Sequence, residues 1–204
     1  SDFKLRQWDI HKTATAVGLR SDKKSLQVLR SYDLPVDRID NRFRMITTMI
    51  SPHASNQRIW MAFGNQIAVV DLSKALTMKE SSQQKDQHSG TVHFLKPLHD
   101  NVVLSLVWTC EKDRTCVLST ARDSKELWVW NAETGERLSV LNTIPEEAGA
   151  ILCCIDTDMF RWVATSTHII RIPRGNNNQN ENNIEIIPLP SRSEMYSMAV
   201  RSDG

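Results

Sequence analysis

The 204-residue chain has no charge excess to speak of: 25 Lys and Arg face 24 Asp and Glu, a formal net charge of +1. A nucleic-acid or acidic-membrane partner calls for a basic excess or stripe, so neither is expected. The small basic clusters at Lys23 and Lys24 and at residues 42–44 read as solvated faces. No apolar run reaches the roughly 18 residues a membrane span requires, and no signal-peptide pattern is present; membrane insertion is not expected. Four Cys make no disulfide framework. Cys153 and Cys154 are adjacent, so on a strand they point to opposite faces. Cys110 and Cys116 flank a short hairpin turn, where a bond is conceivable and not required. This usage fits a reducing, cytoplasmic interior.

Catalytic and metal signatures are just as scarce. There is no P-loop, G-x-S-x-G, H-E-x-x-H or kinase pattern. The six His lack metal-ligand spacing; His88 and His93 meet one ion only if their loop folds back, and no Cys lies nearby. The expectation is therefore no metal, no cofactor and no catalytic residue. Helical periodicity is missing as well, so the chain reads as nearly all-β.

What is present is a repeated strand pattern. In residues 116–140 a run beginning Val117, Leu118, Ser119 leads through a polar turn at 122–125 to Leu127, Trp128, Val129, Trp130. A Gly-bearing turn at 131–136 then precedes a further extended stretch at 137–140. A three-stranded meander cannot bury both of its faces alone, so copies of it are expected. Residues 60–71 align without a gap on residues 162–173: Trp60 on Trp162, Ala62 on Ala164, Ile67 on Ile169, Val70 on Ile172. The central unit fits between them with three extra residues in its polar turn. That places Val117 on Trp60, Leu127 on Ile67, Trp130 on Val70 and Asn131 on Asp71. Trp60 and Trp162, each early in a buried strand, are expected in the core.

These residues resemble the WD-repeat β-propellers. The central unit offers Leu98 and His99 where that family has Gly-His, an innermost strand at 102–107, then Ser119, Asp123 in a tight turn, and Trp130-Asn131 where the family has Trp-Asp. The flanking units keep the rhythm and carry Val70-Asp71 and Ile172-Pro173 at that place. Their early-strand Trp is similar to divergent propellers attached to large signalling proteins, such as Roco leucine-rich-repeat kinases and some Rho exchange factors. The resemblance covers about residues 42–204. It implies an all-β, WD40-like propeller segment of four-stranded antiparallel blades, incomplete at about four to five blades of roughly 40–45 residues each. Residues 1–40 read as a degenerate blade or a linker, with strands at 3–10 and 26–34. Residues 41–204 read as blades, the last one truncated at the C-terminus after a first strand at 195–200. The polar stretches at 80–90 and 176–183 are expected to be loops.

By the same resemblance, His99, Ser119, Asp123 and Trp130 form a structural hydrogen-bonded chain, from the Trp indole N–H to Ser, to His, to Asp. Only the central unit carries the set. Trp128 lies on the same strand face as Trp130, nearer the turn. With Arg122 and Lys125 it is a candidate partner-binding rim, since aromatics and Arg dominate binding hot spots; the plainer reading is packing between blades. The function implied is a non-catalytic scaffold for a protein or peptide partner, inside a larger signalling or trafficking protein. There it would serve dimerisation, localisation or control of an enzymatic domain. Two rivals stand beside it. A self-assembly module would pair exposed strands with a second copy as a homodimer. A propeller enzyme would need titratable residues at the starts of inner strands, and 102–107 and 150–155 are apolar there.

Overall fold

A computed structural model of the chain describes residues 4–8, 28–33, 46–51, 58–71, 91–111, 113–142, 144–174 and 184–190. The segments 80–90, 176–183 and 195–200 lie outside them. Fourteen strands are present, with one 3-10 turn at Glu146–Ala148 and no α-helix among the described residues. β1 (Lys4–Trp8) pairs antiparallel with β2 (Val28–Asp33). The rest forms three four-stranded antiparallel meanders. The first is β3 (Ile46–Ile50), β4 (Arg58–Phe63), β5 (Gln66–Asp71) and β6 (Thr91–Phe94). The second is β7 (Val103–Glu111), β8 (Arg114–Ala121), β9 (Leu127–Asn131) and β10 (Arg137–Leu141). The third is β11 (Ile151–Asp156), β12 (Phe160–Thr165), β13 (His168–Pro173) and β14 (Glu185–Pro188). Within each, sequential strands are neighbours, as four-stranded propeller blades are built.

The turns follow from local chemistry. Gly64 takes φ 55° between β4 and β5, a left-handed conformation that costs glycine nothing. Asp123 takes φ 58° in the turn after β8, and Asp tolerates that region better than most residues. Gly135 takes φ 75°, which L side chains rarely adopt, and it lies against Leu95: a Cβ there would stand 2.7 Å from Leu95 Cδ2, which would have to shift. The β9–β10 turn is thereby seated on the crossover between the first and second sheets.

The three sheets stack face to face, and strand alternation assigns each face to one seam. Trp60, Ala62, Ile67 and Val69 of the first sheet pack on Val103, Val117, Trp128 and Trp130 of the second. The other face of the second sheet, with Leu118, Leu127 and Val129, packs on Ile151, Cys154, Val163 and Ile170 of the third. Each inner strand carries a register irregularity near its start, between Ile46 and Thr48, Val103 and Ser105, Ile151 and Cys153.

Counting from that irregularity corrects the repeat. Trp60 pairs with Ile50, Leu118 with Val107 and Trp162 with Ile155, each partner standing four residues beyond Ile46, Val103 and Ile151. Leu118, not Val117, therefore occupies the Trp60 position, and the central turn holds two extra residues, not three. The third-strand matches, Leu127 on Ile67 and Trp130 on Val70, stand. Trp162 is a second correction. Trp60 is fully buried, whereas Trp162 is only half-buried. It lies on the face of the third sheet that corresponds to the Trp60 seam but meets no further described sheet, and it packs edge-on against Phe160. Arg171 stacks over both rings, its Cζ 4.6 Å from the Phe160 centroid and 5.8 Å from that of Trp162. All four Cys are free thiols. Burial raises the Cys116 pKa above the ordinary thiol value and pushes Cys154 up to about 12.

Candidate functional site

Ser119 is the hub of the first seam. The Trp130 indole Nε1–H donates to Ser119 Oγ at 2.7 Å, and Ser119 Oγ lies 2.8 Å from His99 Nε2. All three are buried. Burial without a compensating ion pair holds the His99 pKa down to about 4; Asp100 opposes the shift and Arg137 adds to it. The ring is therefore neutral at neutral pH. The Ser119 hydroxyl has one proton and two lone pairs, so beside the bond it accepts from Trp130 it can donate to His99 Nε2 or accept from it, according to the imidazole tautomer. The chain ends there. Asp123 is exposed in the β8–β9 turn and accepts from Asn101 Nδ2 at 3.3 Å; no hydrogen bond joins it to His99. The flanking sheets have no such clasp, because Met61 and Val163 stand where Ser119 does.

Trp128 completes this cluster from the inside. It is 8% exposed and stacks on His99, with ring centroids 3.8 Å apart at 22°. Arg137 covers its other side, Cζ 4.5 Å from the centroid. Its Nε1–H donates to Glu126 Oε2 at 2.8 Å. The structure thus separates Trp128 from Arg122 and Lys125: the tryptophan is seam packing, while the two cations are exposed at the turn. Lys125 Nζ reaches the Glu146 carbonyl at 3.0 Å.

Protonating His99 charges a buried ring. Its folded pKa lies below the unfolded value near 6.5, so the stabilisation is complete above pH 6.5 and is lost as pH falls from there to about 4. At roughly 1.4 kcal/mol per unit, the wild-type protein is expected to lose about 3 kcal/mol more than His99→Gln over that window. Denaturant melts at pH 7 and pH 4 measure it; parallel losses in the two proteins would remove His99 from the account.

The second seam is held by charge, which sequence reading did not single out. Arg161 is 5% exposed. Its Nε donates to Asp156 Oδ1 at 2.8 Å, and its Nη2 to Asp156 Oδ2 at 3.1 Å and to Glu111 Oε1. Thr109 Oγ1 donates to Asp156 Oδ2, and Arg174 Nε stands 3.6 Å from the same oxygen. Burial disfavours the Arg161 charge, but the hydrogen bonds and charge of Asp156, then Glu111, outweigh it and hold the pKa above the ordinary arginine value. The signal was present in residues 156–161: Asp156 and Arg161 sit directly opposite across the β11–β12 hairpin.

Beside this cluster a groove of about 470 Å³ opens between β7 and β11, lined by Leu104, Val107, Trp108, Leu152, Asp158 and Arg174 among others. A second cleft, about 380 Å³, lies between the first sheet and the β9–β10 turn. Among the described residues no group of three or more His, Cys, Asp or Glu is arranged to hold a metal ion, and no helix is long and apolar enough to cross a membrane.

No protein-family model matches the chain, and no curated protein does. Solved structures do. A structure described as U3-55K matches at TM-score 0.45 and 12% identity over 66% of this chain. The Cps50 (Swd1) β-propeller domain of Myceliophteria thermophila matches at TM-score 0.39 and 14% identity over 77%. The chain spans 37% and 44% of those two chains respectively.

Proposed function

We propose that this chain is a non-catalytic protein-interaction scaffold, a WD-like propeller segment of a larger cytoplasmic signalling or trafficking protein. In that setting it docks a partner, supports dimerisation or controls an enzymatic domain elsewhere. One observation carries the reading: the second-to-third-strand turns of all three sheets are tied to the backbone entering an inner strand. Val103 N–H donates to Gly64 O at 2.7 Å, Ile151 N–H to Ser124 O at 3.0 Å, and Ser166 N–H to Ala150 O at 3.1 Å. Turns fixed in this way form a pre-organised surface, and loops on a rigid scaffold are where binding residues concentrate. Arg122 and Lys125 project there.

The double variant Arg122→Glu/Lys125→Glu alters exposed positions only and is expected to leave stability within about 0.5 kcal/mol. It is expected to weaken retention of partner proteins by roughly tenfold, about 1.4 kcal/mol, measured first from extract and then with the purified partner. Unchanged binding would take the rim out of the reading.

Self-assembly has its own supporting observation. β14 exposes all four of its residues, Ile186 and Ile187 included, at the outer edge of the third sheet. Edges of this kind are templates for pairing with another strand. Light scattering across a concentration range decides this second reading, and a monomer throughout would end it.

A further inference from the structure

The outer edges of the three sheets are unequally covered against pairing with a further strand. Outermost in the first, second and third sheets are β6, β10 and β14. A strand in that place leaves half of its N–H and C=O groups unpaired, a template for any extended chain unless charge, a bulge or proline blunts it. β6 is partly covered, with Val92 and Phe94 both partly buried. β10 opens on the exposed Arg137 and breaks register between Arg137 and Ser139. β14 keeps its register throughout and is exposed at all four residues, Ile186 at 39% and Ile187 at 37%. Its one charged residue, Glu185, is tied to Arg171 at 2.6 Å.

The pairing of β14 with β13 shows what stands at that edge instead. Leu189 N–H donates to Thr167 O at 2.9 Å, and Pro188, opposite His168, has no N–H to give. Along an antiparallel strand the backbone groups of successive residues point to opposite sides. Glu185, Ile187 and Leu189 therefore direct theirs to β13, and Ile184, Ile186, Pro188 and Pro190 direct theirs away from it. Two of those four outward positions are proline. An incoming strand would find N–H donors at Ile184 and Ile186, then pyrrolidine rings in place of the next two. A proline at Ile187 or Leu189 would instead cost β14 its own bonds to β13. The two prolines thus stand on the one alternation that spares the sheet.

We infer that Pro188 and Pro190 close the β14 edge to strand addition, whether by a second copy or by another extended chain. The inference needs only the register of the third sheet and goes beyond the scaffold reading. It leaves that reading with the turns as its docking surface, and it counts against self-assembly through β14. In the wild-type chain the Ile186 amide is expected to exchange with solvent about tenfold or more faster than those of Ile187 and Leu189, which are paired. Light scattering across a concentration range is expected to show Pro188→Val/Pro190→Val associating at a concentration roughly tenfold or more below the wild type, the least that two regained hydrogen bonds give. In the associated form the Ile186 amide is expected to become protected. Adding Ile186→Lys is expected to return the variant to the wild-type level, because a lysine on an edge strand opposes pairing. All three positions are exposed, so the substitutions leave the packed seams alone. Slow exchange of Ile186 in the wild-type monomer, or association of the valine variant no stronger than that of the wild type, overturns the inference. So does association that leaves Ile186 exchanging freely, or wild-type association abolished by Ile186→Lys.

Discussion

Arg161→Met is expected to lower the free energy of unfolding by about 3–5 kcal/mol, the range for breaking a buried ion pair by deleting one partner. Most of that is not the lost attraction. Asp156, whose side chain is 3% exposed, would keep its charge with only the Thr109 hydroxyl and the more distant Arg174 as partners. Glu111 is the lesser member, since its side chain is 38% exposed and water screens it. The pair Asp156→Leu/Arg161→Met should recover much of the loss, because removing both charges also removes their desolvation cost. Urea unfolding of the single and double variants measures this. A single-variant loss within about 0.5 kcal/mol, the level of ordinary surface changes, would mean that water already reaches the cluster.

Trp60→Ala and Trp162→Ala are expected to differ sharply although the two residues share one place in the repeat. Trp60 is fully enclosed between the first and second sheets, and truncation there is expected to cost about 3–5 kcal/mol. Trp162 is only half-buried, held by Phe160 and the Arg171 guanidinium. Its truncation is expected to cost about 1 kcal/mol, the scale of an aromatic or cation–π contact at a partly exposed site. Equal losses would mean that the outer face of the third sheet is sealed as tightly as the inner seam.

Strand positions were legible because the strands are dense in Val, Ile and Trp and are separated by Gly, Asn and Asp. The outer strands β6 and β14 pair with β5 and β13. Register was less so. The step between Val117 and Leu118 depends on the length of the polar turn, which only cross-strand pairing reveals, and a slip of one residue exchanges the two faces. The meeting of His99, Ser119 and Trp130 was legible only through the resemblance to WD-repeat blades, which implied it. Asp123 was not placed, because the left-handed turn directs it outward to Asn101. Trp128 does not stand with Arg122 and Lys125: alternation puts it beside Trp130, and that face turns toward the first sheet. Of the ion cluster only the Asp156–Arg161 pair across the β11–β12 hairpin left a local signal; Glu111 reaches Arg161 from 50 positions away, through a packing of sheets that no local pattern encodes.

The longer central turn also has an evolutionary meaning. Six residues separate the cross-strand pair Met61 and Ala68, and eight separate the corresponding pair Ser119 and Trp128. Yet the strands on either side keep the same partners and the same seams. Loop closure grows only logarithmically with length, about 0.6 kcal/mol for a full doubling, so an insertion there costs little. The scaffold and its turns can therefore diversify independently: substitutions and insertions at 122–125 can change what the surface meets while the stacked sheets stay as they are.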